Sequence, residues 1–285
     1  MDEFTAAMRA RAFVRKVNRD AIPVSLDAYI AELGAVLRFE TDLETSEPGY
    51  FFKSSGKHYI CVNANDSVPR QRFTACHKIA HIVLGLPSEH EAMPWWSYAK
   101  RSANEIYCDV FAAELLLPHR LFEPLVARAE IGWSTVSELG TRFLVSDTAT
   151  ASRLATVINV PCAFVLSEEG RVRYGSRSRS LRDAGGWISP QAPLPSTSAS
   201  ARARAGQRCQ DCEEIAADLW FSDWRRGGVL LEEARHLKQW DQTLTLLWFE
   251  DEEIPSEQHN YEPSEEQGLA ELDGVLPWPG KRHRR

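Results

Sequence analysis

Arg70-Gln71-Arg72-Phe73-Thr74-Ala75-Cys76-His77-Lys78-Ile79-Ala80-His81-Ile82-Val83-Leu84-Gly85 is the stretch that decides how this 285-residue chain is read. Pro69 suits a first helical turn and Gly85 a helix end, so the pattern predicts one helix with both histidines in its second half. Positions four apart share a helix face, and His77 and His81 can therefore reach a single zinc ion. The competing reading is a pair of helix-face histidines that only pack or meet water. The residue between them that matters most is Lys78, a cation placed where a metal site would put another positive charge.

Support comes from a second helical run, Glu105 to Pro118, preceded by Ser102. A carboxylate from Glu105 would complete a two-histidine, one-carboxylate set and leave a fourth position for water. Ser102-Ala103-Asn104-Glu105 is also a capping box, in which Glu105 would bond the Ser102 backbone N–H. The residue chemistry leaves these two readings level.

Outward from this pair, the chain divides into regions of different character. A helix is expected over about residues 3–19, and another from Ser25, an N-cap, to Gly34. Val36 to Phe39 reads as a strand. Gly49–Lys53 and His58–Asn63 flank Ser54-Ser55-Gly56-Lys57 as a hairpin. Residues 86–101 form a connecting loop with Pro87, Pro94, Trp95 and Trp96. Residues 119–158 are helical, and Ser134–Val157 has a helix-turn-helix rhythm that reads as a packing unit, since its second helix carries few basic residues. From Pro161, a hairpin (Ala163–Leu166 with Arg171–Tyr174), a loop-like 184–207, a helix around 209–220 and strands at Val229–Glu232 and Leu244–Phe249 suggest a mixed module. The expected class is α+β: residues 1–118, a helical extension over 119–160, a small mixed domain over 161–249, and an acidic tail over 250–285 whose composition predicts disorder.

The two helical motifs resemble the ImmA/IrrE family of zinc metallo-endopeptidases. Its members show an R-F-T-x-A/C-H-E-x-x-H helix followed by E-x-x-A-N-x-F-A-A-x-L-L-x-P, and the corresponding runs here are Arg72 to His81 and Glu105 to Pro118, the latter with Cys108-Asp109 in place of A-N. The hairpin ending Ile60-Cys61-Val62-Asn63 is similar too, and the likeness spans about residues 5–158. It implies zinc held by His77, His81 and Glu105, a gluzincin-like peptidase core, and cleavage of a helix-turn-helix repressor in a DNA-damage or anti-phage response. The chain departs from the family at Lys78, where members carry the general-base Glu. A protonated Lys has no lone pair to accept a proton, and loss of a general base lowers rates by about 10²–10⁴-fold. The chain is therefore expected to be inactive as written, with a non-catalytic regulator that binds a transcription factor or nucleic acid as the alternative. A natural pseudo-peptidase and a deliberate inactivating substitution account equally for Lys78. The module from 161 resembles GAF- or PAS-like sensor domains through its hairpin and late strands.

Other residues carry paired readings. Cys108, three after Glu105, is either a regulatory thiolate near the metal or a small buried thiol. His90 is either a fourth ligand or substrate contact, or a solvated loop histidine. Trp95 and Trp96 either line a substrate groove or pack. Cys209-Gln210-Asp211-Cys212 is a lone CxxC, weak as a zinc site. Net charge is −7, yet residues 250–280 hold 10 acids and no Lys or Arg, leaving residues 1–249 with 29 basic against 30 acidic. Residues 171–208 hold eight Arg and one acid, Asp183. Arg171, Arg173, Arg177 and Arg179 are candidate contacts for single-stranded DNA, against the plainer reading of an Arg/Ser-rich surface. Six cysteines without a regular framework read as reduced thiols in the cytoplasm. No apolar run is long enough for a membrane span, and the opening Met1-Asp2-Glu3-Phe4 does not read as a signal peptide.

Overall fold

The computed structural model describes residues 1–17, 20–87, 102–207 and 212–249. Helix α1 (Glu3–Val17) leads to α2 (Leu26–Leu33), where the Ser25 hydroxyl accepts from the Ala28 amide and Gly34 ends the helix in the left-handed region. A three-stranded sheet follows in the order β1-β3-β2, from β1 (Val36–Glu40), β2 (Gly49–Ser54) and β3 (Lys57–Asn63). The β2–β3 hairpin turns at Ser55-Gly56, both at positive φ, as a two-residue turn of matching twist requires. Strand β1 runs parallel to β3, with Leu37 opposite Ile60. One face of this sheet lies on helix α3 (Val68–Leu84). The approach is close at Gly49, where a Cβ would collide with the Cys61 carbonyl and press on Thr74.

Helix α3 runs beside α4 (Ala103–Leu116), and α1 packs on α4. Helices α5 (His119–Val126), α6 (Trp133–Phe143) and α7 (Asp147–Val157) continue the same hydrophobic core. Glu114, buried in α4, ties three of these helices together. It accepts from Arg153 of α7 (2.5 Å) and from the His119 amide at the start of α5 (2.9 Å), and Arg11 of α1 lies 3.3 Å away.

The second sheet is five-stranded and antiparallel, in the order β5-β4-β8-β7-β6. Its strands are β4 (Cys162–Glu168), β5 (Arg171–Arg177), β6 (Glu213–Ala216), β7 (Val229–Leu237) and β8 (Gln242–Trp248). Both faces of its centre are covered, which is why β4 and β8 read as nearly continuous apolar runs. Phe164, Leu166, Leu244 and Leu246 face the helices, with Trp133 edge-on to Phe164 at 6.3 Å. Ala163, Val165 and Leu247 face a second core with Leu181, Ile188, Phe221 and Trp224. That core is closed by short helices α8 (Arg179–Asp183) and α9 (Ala199–Arg204) and the segments joining them.

The class is α+β, as expected, with three local differences. Residues 213–216 are not helical: Ile215 alternates with exposed neighbours and pairs with Leu230, making an edge strand followed by one 3₁₀ turn. Residues 184–207 are not wholly loop, because Ser198 caps α9 and buried Glu232 of β7 receives the Ala199 and Ser200 amides. Strand β7 reaches Leu237, well past Glu232. Helix α7 is held against β5, with Ser152 bonded to Tyr174 (2.9 Å) and Ser176 (2.7 Å). The loop 88–101, Cys209 and the acidic tail lie outside the described residues.

Candidate metal centre

Helix α3 carries His77 and His81 on the face turned to α4, and α4 presents Glu105 from its first turn. His77 Nε2 lies 2.9 Å from Glu105 Oε2 and 3.1 Å from His81 Nε2; His81 Nε2 lies 3.3 Å from Glu105 Oε1. A tetrahedral ion with bonds of about 2.0–2.1 Å separates its ligands by about 3.3 Å. Three donor atoms already converge at nearly that spacing, and among the described residues this is the group able to hold a metal.

The outward nitrogens explain why the inward ones point together. His77 Nδ1 is 2.9 Å from Asp109 Oδ1, and His81 Nδ1 is 3.2 Å from the Leu86 carbonyl. Each ring is thus anchored by one nitrogen and offers the other, the usual second-layer support of metal-binding imidazoles. Phe51 of β2 stacks on His81 at 5.9 Å and Phe73 tilts over His77 at 6.0 Å, fixing both rings from the apolar side. Leu86 follows the left-handed Gly85, so the helix stop itself aims that carbonyl at His81.

Burial pushes the His77 imidazolium toward losing its proton, but the hydrogen bonds to Asp109 and Glu105 outweigh it, and the pKa ends above the usual histidine value. For Glu105, burial raises the pKa, while hydrogen bonds and charge from both imidazoles win and hold the carboxyl well below the carboxylate range. A carboxylate stands at each ring nitrogen, which favours the protonated form of His77. A metal at Nε2 would compete with a proton there. The donor types, spacing and ring anchors fit zinc.

Glu105 pairs with both histidines. Ser102 caps α4 without a side-chain bond, and its buried hydroxyl has no partner. Lys78 is buried at 7% exposure, and its charge opposes protonation of His77. Cys108 sits in the apolar core and is not among the converging atoms. His90, Trp95 and Trp96 lie outside the described residues.

The arginines are dispersed. Arg173 pairs with Glu168 (2.9 Å), Arg179 with Asp183 (3.5 Å) and Arg204 with Asp241 (2.6 Å); Arg202 pairs with Glu213. Arg171 donates to the Gln191 carbonyl, and Arg177 stacks over Trp187 at 4.7 Å. Asp109 was missed by reading the sequence. The available signal was its place four residues after Glu105, on the same face of α4.

Residues 30–155 match the model of the IrrE N-terminal-like domain, Peptidase_M78. The radiation response metalloprotease IrrE of Deinococcus deserti is 30% identical over 138 residues, covering 44% of this chain and 47% of that protein. The chain thus spans about half the length of that curated relative. A solved structure of a Mycobacterium tuberculosis transcriptional regulator aligns with a TM-score of 0.57 at 14% identity, over 86% of this chain and 76% of that one. At that identity the likeness is one of fold. The family match ends before the second sheet, and the GAF/PAS likeness of that module gains nothing from these comparisons.

Proposed function

We propose, from the premise that residues 30–155 belong to the ImmA/IrrE family, that this chain is a zinc-binding endopeptidase scaffold acting on a helix-turn-helix repressor in the cytoplasm, with its proteolytic step disabled at Lys78. The observation that carries the reading is the convergence of His77 Nε2, His81 Nε2 and Glu105 within 3.3 Å of one another, backed by Asp109 and the Leu86 carbonyl. When bound, zinc would polarise a scissile carbonyl and make water easier to deprotonate.

The protein's own groups would do the rest. Asp109 accepts the His77 Nδ1 proton and so keeps the Nε2 lone pair turned inward. The Leu86 carbonyl does the same for His81. Residue 78, next to His77 on α3, holds the place from which a carboxylate would take a proton and pass it to the leaving amine. A Lys ammonium there has no lone pair to accept that proton.

Lys78→Glu tests this reading. Zinc content by elemental analysis should be about one per chain in both proteins. The Glu variant should cleave a helix-turn-helix repressor encoded nearby, with a gain of about 10²–10⁴-fold over the Lys form. A zinc-loaded Glu variant that leaves such a repressor intact would defeat the peptidase reading. The second reading, a non-catalytic regulator binding a transcription factor, draws on the burial of Lys78 beside the metal-binding face. It expects repressor binding without cleavage in both forms. Single-stranded DNA as an activating ligand is supported by the Arg content of 171–208 and by Trp187, and requires binding that weakens with salt.

A further inference from the structure

A cavity of about 90 Å³ lies in the second module, between β5, residues 188–195 and residues 218–222. Val172, Ile188 and Phe221, all buried in the second core, form its apolar wall. Asp218 and Leu219, both exposed, bring it to the surface. The backbone around it is pinned. The Ser222 amide donates to the Trp187 carbonyl (2.8 Å), and Val172 exchanges hydrogen bonds with the Ala192 carbonyl (2.9 Å) and the Gln191 amide (2.8 Å). Apolar walls with a few fixed polar groups are the usual make of a small-molecule site, largely formed before its ligand arrives.

The polar groups define what would fit. Ser189 Oγ and Ser222 Oγ lie 2.7 Å apart, so one hydroxyl donates to the other and a second hydroxyl hydrogen is left to donate. Trp220 also lines the cavity at 5% exposure, and its buried Nε1 has no acceptor among the described residues. A buried donor without a partner is both rare and costly. Asp218 places a carboxylate at the mouth, which accepts hydrogen bonds and repels anions. A complementary ligand therefore brings an acceptor for the indole and hydroxyl hydrogens, a donor for Asp218, no negative charge and a flat apolar body. A carboxamide or lactam has all four. The volume is about three times the roughly 30 Å³ that a water takes in the liquid, room for an amide head with its first carbons. The rest of such a molecule would lie against Leu219, which is 50% exposed.

We propose that this cavity binds the amide or lactam group of a small neutral molecule. The carbonyl accepts from Trp220 Nε1 and the Ser189–Ser222 pair, and the N–H donates to Asp218. This goes beyond the metal-centre reading and does not depend on it.

Titration of the isotope-labelled full-length chain with benzamide, followed by its amide and indole N–H resonances, tests the site. Benzoate and toluene serve as probes of similar shape. Benzamide should shift the Trp220 indole resonance and the Ser189 and Ser222 amides with a Kd of about 1 mM, as weak as a ligand of this size should be. Benzoate lacks the N–H and meets Asp218 as a like charge, so it should bind about tenfold more weakly. Toluene should leave the Trp220 resonance in place. Asp218→Asn should bring the benzoate and benzamide affinities to within about threefold of each other. Ser222→Ala should weaken benzamide binding by about three- to tenfold. Trp220→Phe assigns the indole resonance and removes its donor. Because that variant could loosen a buried wall, the two serine amides of the native chain give an independent readout. Resonances that stay still at about 20 mM benzamide overturn the proposal. So do equal shifts with benzoate or toluene, and benzamide affinity unchanged in both Ser222→Ala and Asp218→Asn.

Discussion

Glu105 and Glu232 are both buried carboxylates, and they are satisfied in opposite ways. Glu232, fully buried in β7, accepts from the Ala199 amide (3.1 Å), the Ser200 amide (2.9 Å) and the Ser200 hydroxyl. Two of its three partners are backbone groups that have no other way to leave water without a hydrogen bond. Glu105 instead meets two imidazole nitrogens, whose protons can leave, and those imidazoles are anchored from behind. The first carboxylate completes a fold. The second, with its partners, is a group that could hold a metal ion. Burial alone does not distinguish the two acids; the nature of the partner does.

The largest effect that would break this contrast is at the histidines. His77→Ala/His81→Ala should lower zinc affinity by about a thousandfold or more, because two of the three proposed ligands are gone. Equilibrium dialysis with a chromogenic chelator measures it, and zinc retained at one per chain would move the site elsewhere. Glu232→Ala should lower the free energy of unfolding by about 3 kcal/mol, since three buried donors lose their acceptor. Urea denaturation reads that loss, and zinc content should not change. If zinc is lost together with stability, the two acids are not separable in the way described.

Asp109→Asn sharpens the comparison further. It keeps a hydrogen-bonding side chain beside His77 but removes the charge, and should weaken zinc binding by about 10–100-fold with little change in unfolding free energy. Equal affinity for the two proteins would reduce Asp109 to a packing residue. The smallest effect concerns thiols. Burial pushes Cys76 and Cys162 up to about 12, whereas Cys212 is exposed. At about pH 8, Cys212 should be alkylated in the native protein, with Cys76 and Cys162 modified only after unfolding, as mass spectrometry of the labelled peptides would show.

Much of the first half was legible because its signals are local. Ser25, Gly34, the Ser55-Gly56 turn, Pro69 and Gly85 each stand where the sequence placed a start, a turn or a stop. The four-residue spacing of His77 and His81 fixes their common face in any helix. The second half was less legible. The edge strand β6 is four residues long, too short for its alternation to stand out, and is stabilised by pairing with β7 across the chain. Helix α9 depends on Ser198 and on Glu232, more than thirty residues away.

The sequence by itself determined the two imidazoles, their helix, the carboxylate-bearing second helix and the cation at position 78, all of them set by residue type and spacing within one element. Only the tertiary structure set the Glu105 carboxylate against two imidazoles. A capping box and a metal ligand require the same residue at the same place in a helix, and the difference lies in what stands opposite. Packing α3 against α4 brought two imidazole nitrogens within 3.3 Å of the Glu105 carboxylate and set Asp109 behind His77. No periodicity along one helix records which residues of another will face it.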